Sequence, residues 1–391
     1  MKHILFVNDL PCNPSLGGIE RVTSTITNGL LSHGYKVSYL CDKVHDSKLL
    51  DYDFPVNVYQ FPQQGLFSND ENKSYYNTLV AEQNIDIVVN QRGLSNLTNP
   101  ILDNSSVKRI SVVHSKPTTF ADIALLQLKQ PRRGIAGKLR RLFYRPLRYF
   151  TAKRHYALVR KQMQYIVQHG EAAVMLCNKY VDDVRALGVN PKKGERLLAI
   201  CNPNSFDKVP ELTEKQKEII FVGRVEMPQK NALCLIEIWR RLYKRFPDWK
   251  FVIVGDGPAL PEIKRIVKQD NIERVVLEGH QTDVRKYYQR ASIVCLTSHF
   301  EGWPMAMIEG MQCSCIPFTF DTFGAAAEII DHEQCGMIIE PENIEQYVSR
   351  LAEVMTDDEK RKAMATAACK KTQQWTSDII VEQWVKLFES L

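Results

Sequence analysis

Phe300-Glu301-Gly302-Trp303-Pro304-Met305-Ala306-Met307-Ile308-Glu309-Gly310-Met311 is the stretch around which the rest of the chain is organised. It follows a short β-prone run, 292–296, and its second half predicts a helix. Pro304 suits the start of that helix, because a first-turn proline lacks an N–H that would be unpaired there anyway. The free N–H groups of the first turn, from Met305 and Ala306 onward, predict a binding site for an anion.

Two carboxylates flank this predicted anion site. Glu301 precedes the helix and Glu309 lies within it, with seven residues between them. Carboxylates accept hydrogen bonds from hydroxyl groups, so the segment predicts a site for phosphate beside sugar hydroxyls, as in a nucleotide sugar. The pattern Glu-x7-Glu resembles the signature of retaining glycosyltransferases with the GT-B fold, in particular glycosyltransferase family 4. The alternative is a solvated loop residue and half of a surface ion pair.

The composition is that of a globular protein with room for two domains. The 391 residues are 44% hydrophobic and 25% charged, which is ordinary for such proteins. No apolar run approaches a membrane span, and the first nine residues turn polar too early for a signal peptide. The ten cysteines show no zinc spacing. An Asp-x-Asp pattern, a possible metal site, does occur at Asp51-Tyr52-Asp53, but it lies just before Pro55 and indicates a turn. We therefore expect reduced cysteines, a cytoplasmic location and no metal.

The first half predicts a parallel, doubly wound sheet, because strand-like and helical runs alternate. Its first strand, 3–8, leads through Gly17 and Gly18 into a helix at about 19–32. Such a glycine turn lets backbone amides approach a phosphate. The segment also resembles the Gly-Gly-x-Glu loop of the same family, which implies contact with the donor phosphate or with the acceptor.

His114 closes a later predicted strand, 107–113, at the carboxyl edge where such sheets bind ligands. By position it resembles a family histidine that points towards the sugar, which implies a catalytic role. The alternative is a histidine that caps a strand in the protein interior.

A strongly basic stretch follows, from Ile123 to Gly170. It contains twelve Lys and Arg residues and no Asp or Glu, so the rest of a chain of net charge +6 carries −6. Aliphatic and aromatic residues lie among the cations: Leu139, Leu142, Phe143, Tyr144, Leu147, Tyr149 and Phe150. This mixture predicts peripheral contact with the anionic inner face of a cell membrane. A solvated helical face is the alternative, and the absence of a nucleic-acid motif argues against nucleic acid.

The second half carries two candidate phosphate ligands after a buried strand, 219–222. Gly223 and Arg224 follow that strand, and Lys230 comes six residues after Arg224. Arginine makes planar, bidentate contacts with phosphate, and lysine supplies a flexible point charge. Gly-Arg-x5-Lys resembles the diphosphate clamp of the family, with one residue more than its shortest form. Two surface cations in a loop are the alternative.

Two further candidates rest on the resemblance. The segment Gly255-Asp256-Gly257-Pro258 matches a family turn near the nucleotide, which implies a place for Gly255 in the donor site. The loop after the next strand lies near the base in such folds, which implies contact by His280. After Met311 the match loosens, because Ser314 stands where the family commonly has glycine.

Alternating strands and helices predict an α/β chain, and the resemblance implies the GT-B type, with two doubly wound Rossmann-like domains facing a central cleft. It implies an acceptor-side domain at 1–204 and a nucleotide-sugar domain at 205–375. By the same resemblance, a terminal helix, 376–391, is expected to pack back on the first domain.

The resemblance implies retaining transfer of a hexose or N-acetylhexosamine from a nucleotide diphosphate sugar, with UDP favoured. The acceptor would be a glycan or a lipid-linked glycan in bacterial surface polysaccharide assembly, and no cofactor is expected. Arg224 and Lys230 would stabilise the leaving diphosphate. Glu309 would hold the ribose and Glu301 a sugar hydroxyl. A sugar-nucleotide epimerase of the same fold and a non-catalytic sugar- or lipid-binding scaffold remain as alternatives.

Overall fold

The structure is a computed structural model. It describes the backbone of residues 1–44, 50, 52–65, 69–95, 98–104, 106–129, 135–191, 196–206 and 214–391, and their side chains except those of 126–129 and 135–146. The chain divides into two compact units: Met1–Pro203 with Ser377–Leu391, and Asn204–Thr376.

The first unit alternates strands and helices from its first residues. Its strands are β1 (His3–Asn8), β2 (Lys36–Cys41), β3 (Asn57–Gln60), β4 (Ile87–Asn90), β5 (Lys108–Val113), β6 (Ala172–Met175) and β7 (Arg196–Ala199). Its helices before the second unit are α1 (Gly18–Ser32), α2 (Asp70–Glu82), α3 (Thr98–Ile101), α4 (Thr119–Lys129), α5 (Ile135–His169) and α6 (Asn178–Ala186).

These seven strands form one sheet in the order β3-β2-β1-β4-β5-β6-β7. Every neighbouring pair is parallel; Phe6 of β1, for example, lies between Tyr39 of β2 and Val89 of β4. Helices cover both faces of such a sheet, which explains why its central strands are continuous apolar runs. All six residues of β1 are buried. The carboxyl ends of the strands therefore share one edge.

The second unit repeats this plan. Its strands are β8 (Gln216–Val222), β9 (Lys250–Val254), β10 (Val275–Gly279), β11 (Ala291–Cys295), β12 (Ile316–Phe320) and β13 (Met337–Ile339). Its helices are α7 (Ala232–Arg240), α8 (Leu260–Gln269), α9 (Arg285–Arg290), α10 (Met305–Gln312), α11 (Ala326–Ile329), α12 (Ile344–Thr356) and α13 (Asp358–Lys371), followed by a 3-10 turn at Thr372–Trp375.

The second sheet is also parallel throughout, in the order β10-β9-β8-β11-β12-β13. Trp239 and Trp249 are nearly inaccessible in its core, together with Phe251 and Tyr347. The prediction of two doubly wound α/β units is confirmed.

The last helix, α14 (Ser377–Glu389), returns to the first unit and packs on α1. Gly29 of α1 packs closely against α14, since a Cβ there would lie 2.4 Å from a methyl group of Val381. The Lys2 ammonium also donates to the carbonyl oxygen of Phe388. A small residue on α1 thus lets the end of the chain complete the first unit.

The basic stretch forms the helices α4 and α5, the second of which is 35 residues long. The side chains of several predicted membrane contacts lie outside the described residues: Leu139, Arg140, Arg141, Leu142, Phe143, Tyr144 and Arg145. Across the part of the chain that is described, no helix combines the length and apolarity needed to cross a bilayer.

Candidate active site

Three glycine turns shape the carboxyl edge of the second sheet. The N–H of Gly223 donates to the carbonyl oxygen of Val254 at 3.0 Å, and that of Gly255 donates to Gly279 at 2.7 Å. A Cβ on Gly255 would lie 1.9 Å from the carbonyl oxygen of Gly223, and φ at Gly255 is +144°. Glycine is required there because both the close approach and the backbone angle exclude a side chain. The turns after β8, β9 and β10 are consequently held against one another.

The connection after β8 is tied to the segment after β11. The N–H of His299 donates to the carbonyl oxygen of Gln229 at 2.8 Å, and His299 Nδ1 lies 2.7 Å from that of Pro228. The hydroxyl of Thr297 donates to the carbonyl oxygen of Lys230 at 3.2 Å. These bonds fix the backbone that carries Lys230 beside the segment that leads to Glu301.

Lys230 and Glu301, predicted as separate ligands of the donor, form an ion pair. Lys230 Nζ lies 2.7 Å from Glu301 Oε1, and the two side chains are 23% and 8% exposed. Arg224 differs, because its side chain is 68% exposed and pairs with Glu226 at 3.1 Å. The edge therefore presents one accessible guanidinium and one ammonium held by a buried carboxylate.

Helix α10 begins beside this pair. Pro304 is its N-cap residue, and its carbonyl oxygen accepts hydrogen bonds from the N–H groups of Met307 at 2.9 Å and Ile308 at 3.2 Å. The amides of Met305 and Ala306 precede these first intrahelical bonds. Both groups lie at the positive end of the helix dipole, which favours a bound anion.

Glu309, on the second turn of α10, is buried and accepts two hydrogen bonds from its own unit. The Ser205 hydroxyl donates to Oε1 at 2.7 Å, and the Tyr288 hydroxyl donates to Oε2 at 3.2 Å. Burial, and then the neighbouring Glu309 carboxylate, raise the pKa of Tyr288 well above its ordinary value, so this hydroxyl remains a donor. A ribose hydroxyl would have to use the remaining lone pairs of the carboxylate.

No sequence motif marks Ser205 or Tyr288 as a partner of this carboxylate. Ser205 stands in the polar connection that enters the second unit, and Tyr288 stands in the short helix α9. Gln312 fixes that connection, because its amide donates to the carbonyl oxygen of Phe206 at 2.8 Å. Only the tertiary structure brings these residues to Glu309.

His114 belongs to a hydrogen-bond chain in the first unit. Its Nε2 lies 2.5 Å from Gln91 Oε1, Gln91 Nε2 donates to Thr23 Oγ1 at 3.0 Å, and Thr23 donates to the carbonyl oxygen of Ile19 at 2.8 Å. In this assignment Gln91 can only accept from His114, so Nε2 carries the proton and Nδ1 is an acceptor. Burial lowers the pKa of His114 to about 4, which keeps the ring neutral.

The predicted glycine loop lies at the start of α1. Gly17 is the N-cap residue and Gly18 the first helical residue. A Cβ on Gly17 would lie 2.6 Å from Glu20 Oε2, whereas one on Gly18 would meet no atom within 4 Å. The close contact of Gly17 is thus with the Glu20 side chain of the same helix. His280, after β10, is exposed. Ligand contact by these three predicted residues stays a prediction.

Comparison with known proteins identifies the type of enzyme. Residues 204–371 match the family described as Glycosyl transferases group 1. An uncharacterized glycosyltransferase of Haemophilus influenzae is 26% identical over 383 residues, which cover 95% of this chain and 96% of the relative. The fold matches HepE of Anabaena, solved in complex with UDP, with a TM-score of 0.73 and 16% identity over 100% of each chain. The chain is a GT-B glycosyltransferase.

This GT-B glycosyltransferase also matches a Campylobacter jejuni enzyme over part of its length. That relative is named N-acetylgalactosamine-N,N'-diacetylbacillosaminyl-diphospho-undecaprenol 4-alpha-N-acetylgalactosaminyltransferase. The two are 32% identical over 190 residues, or 48% of this chain and 51% of the relative. The chain thus spans about half the length of this second relative.

In this glycosyltransferase, most of the predicted donor-site residues lie in the second unit, and Gly17, Gly18 and His114 lie in the first. Among the described residues, no group of three or more His, Cys, Asp or Glu side chains could hold a metal ion. Metal independence stays a prediction, as do the individual roles of the site residues.

Proposed function

We propose that this glycosyltransferase moves a hexose or N-acetylhexosamine from a UDP-sugar, with retention of configuration, to a glycan or lipid-linked acceptor in bacterial surface polysaccharide assembly. The observation that carries the proposal is the second-sheet edge, where Arg224, the Lys230–Glu301 pair and the start of α10 occur together. Two cations and two helix N–H groups suit a diphosphate, and carboxylates suit sugar hydroxyls.

The names of related proteins support the choice of donor and acceptor. The Campylobacter relative is named for an alpha linkage and a diphospho-undecaprenol acceptor. A Staphylococcus aureus relative is named poly(ribitol-phosphate) alpha-N-acetylglucosaminyltransferase, and it is 26% identical over 50% of this chain and 40% of its own length. HepE, similar in fold, binds UDP in its crystal. An alpha-linked product from an alpha-linked nucleotide sugar requires retention.

In the proposed mechanism, the second unit stabilises the charge of the departing diphosphate. Arg224 is accessible and would contact phosphate oxygens in a bidentate way, while Lys230 and the amides of Met305 and Ala306 would supply further donors. The departing diphosphate would accept the proton of the acceptor hydroxyl. Two cations would give the compensation that a divalent metal would otherwise supply, so we propose metal-independent transfer.

Glu301 acquires a second role from its contact with Lys230. A carboxylate offers about four lone-pair sites, so it can retain Lys230 through one oxygen and accept a sugar hydroxyl through others. The pair would then link recognition of the sugar to placement of the cation on the leaving group. His114 would accept a hydrogen bond from a sugar or acceptor hydroxyl at Nδ1, because its Nε2–H is committed to Gln91.

A lipid-linked acceptor requires access to a membrane surface, and we propose that α5 supplies it. Leu147, Phe150 and Leu158 are 57%, 58% and 41% exposed, and the exposed Arg154 lies among them. Spacings of three and four residues place these side chains on one face of the helix. Aliphatic and aromatic groups beside cations favour the interface of an anionic bilayer.

The experiment that tests the donor and the reaction is a panel assay. The protein is incubated with UDP-, GDP- and ADP-sugars and a diphospho-undecaprenol-linked glycan, and release of each nucleoside diphosphate is measured. Acceptor-dependent release of UDP is expected. Release of GDP or ADP but not UDP would refute the proposal of a UDP-sugar donor. Conversion of the nucleotide sugar without acceptor would indicate an epimerase. The same assay tests Arg224→Ala, and its matched control is Arg265→Ala. Arg265 is 57% exposed and ion-paired like Arg224, but it lies on α8.

A further inference from the structure

A groove of about 1010 Å³ lies between α5 and the turn that follows α6, in the first unit. Residues of α5 at intervals of three and four line it: Lys153, Tyr156, Ala157, Arg160, Lys161, Gln164, Tyr165 and Gln168. The opposite side comes from 186–190. At 1.5 Å per helical residue, the lining from Lys153 to Gln168 extends over about 22 Å.

The groove is separate from the candidate active site. Helix α5 ends at His169, just before β6 begins, and α6 starts just after β6 and runs back. The side of the groove formed by 186–190 therefore lies towards the amino ends of the strands. The predicted ligand residues of this unit, Gly17, Gly18 and His114, are not among the residues that line the groove.

The charge of the groove is positive. Within the part of the chain that the structure describes, no carboxylate forms an ion pair with Lys153, Arg160 or Lys161. The guanidinium of Arg160 reaches the turn after α6, since a Cβ on Gly188 would lie 3.4 Å from its Nη2 atom. Available cations on one concave surface attract carboxylate, sulfate or phosphate groups.

Hydrogen bonds hold several of the side chains that line the groove. Gln164 Nε2 donates to the carbonyl oxygen of Asn190 at 3.3 Å, and the N–H of Asn190 donates to Gln164 Oε1 at 3.4 Å. The Tyr156 hydroxyl donates to Asp122 at 2.9 Å, and the Tyr165 hydroxyl donates to Asp103 at 3.2 Å. Binding would therefore require little ordering of these side chains.

We propose that this groove binds an anionic oligosaccharide, as a glycan site distinct from the active site. Three features favour a glycan over other anions. The groove is elongated and concave, so it fits a chain better than a flat bilayer or a single phosphate. Its cations match acidic sugar substituents, and the partly exposed ring of Tyr156 matches the apolar face of a sugar ring. The site would retain a growing acidic polymer while the active site acts elsewhere on the chain.

The test uses two neighbouring residues of α5 that differ in their relation to the groove. Ala157 is exposed and lines it, whereas Leu158 is 41% exposed and lies outside it. Ala157→Glu and Leu158→Glu introduce the same charge one residue apart on the surface of the same helix. Because neither side chain is buried, both proteins should fold, and circular dichroism and thermal unfolding check this.

Binding is measured by calorimetry on the full chain without donor, so the result is independent of the proposed transferase activity. The probes are a polygalacturonate hexasaccharide, neutral maltohexaose, a hexaglutamate peptide and phosphatidylglycerol vesicles. We expect the acidic hexasaccharide to bind, Ala157→Glu to weaken it at least tenfold, and Leu158→Glu to change it less than twofold. The triple change of Lys153, Arg160 and Lys161 to Gln should also weaken it at least tenfold.

Three results would overturn the proposal. One is hexasaccharide binding that Ala157→Glu leaves intact. Another is equal affinity for hexaglutamate, which would reduce the groove to a general polyanion surface. The third is absence of hexasaccharide binding; vesicle binding that Ala157→Glu abolishes would then assign this face of α5 to the membrane. A control triple of Arg154, Lys264 and Lys268 to Gln removes the same charge from exposed positions outside the groove and should change the affinity less than twofold.

Discussion

Replacement of Lys230 and of Arg224 by alanine should have equal effects on catalysis and unequal effects on stability. If both cations stabilise the leaving diphosphate, each change should lower turnover at least about a hundredfold, or about 2.7 kcal/mol in activation free energy, as for loss of one preorganised charge stabiliser. The environments of the two side chains differ, because Lys230 pairs with a buried carboxylate and Arg224 is mostly exposed.

The expected loss of stability follows from that difference. Lys230→Ala removes the cationic partner of Glu301, whose side chain is 8% exposed. Loss of a hydrogen bond to a charged group costs about 1.5–3 kcal/mol, and partial exposure of Lys230 places the expected loss near 2 kcal/mol. Arg224→Ala should cost less than about 0.5 kcal/mol, since surface ion pairs contribute little. Adding Glu301→Gln to Lys230→Ala should recover part of the stability and none of the turnover.

The assay combines urea unfolding with acceptor-dependent release of UDP, and Arg265→Ala serves as the control for both. Stability near wild type for Lys230→Ala would contradict the described ion pair. Turnover near wild type for both Lys230→Ala and Arg224→Ala would refute the diphosphate clamp. Low turnover of the lysine variant alone would leave Arg224 as a surface cation.

The remaining predictions concern the nucleotide, pH and the membrane. Glu309→Ala should weaken calorimetric binding of UDP by about 1–3 kcal/mol, whereas Glu301→Ala should leave UDP affinity unchanged and impair transfer; the reverse pattern would exchange their roles. Burial lowers the pKa of His114 from 6.5 to about 4, so the free energy of unfolding should decrease as pH falls from about 6.5 to 4. His114→Asn should remove that part of the pH dependence, and an unchanged profile would contradict a neutral ring in the folded protein. Phe150→Glu and Leu158→Glu should each reduce co-sedimentation with phosphatidylglycerol vesicles, and binding to neutral vesicles at equal strength would exclude anionic docking.

Periodicity and composition carried most of the information about the fold. The run 219–222 and the segment 3–8 were predictable as buried strands because both faces of a doubly wound sheet are covered, so the strands are continuously apolar. Gly255 was predictable as part of a turn, because glycine marks a strand end. The 35-residue length of α5 was not predictable, because its charged and apolar residues are mixed without a clear break, and its first half includes Pro146.

Sequence motifs placed most of the candidate donor ligands in one unit but could not give their contacts. Glu301 and Lys230 are 71 residues apart, and their ion pair depends on how the connections after β8 and β11 pack. Ser205 and Tyr288 were missed for the same reason, since a serine in a polar connection and a tyrosine in a short helix carry no local signal. Residue type and position on a sheet edge are thus predictable, whereas pairing across the sheet is a property of the tertiary structure.

The anomeric configuration of the first product tests the central claim most directly. The protein is supplied with an alpha-linked UDP-sugar labelled with ¹³C at C1 and a diphospho-undecaprenol-linked glycan, and the reaction is followed by NMR. Retaining transfer predicts that an alpha-glycoside and UDP appear together and at the same rate. A beta-glycoside would contradict retention, and loss of UDP-sugar without any glycoside would contradict transfer itself.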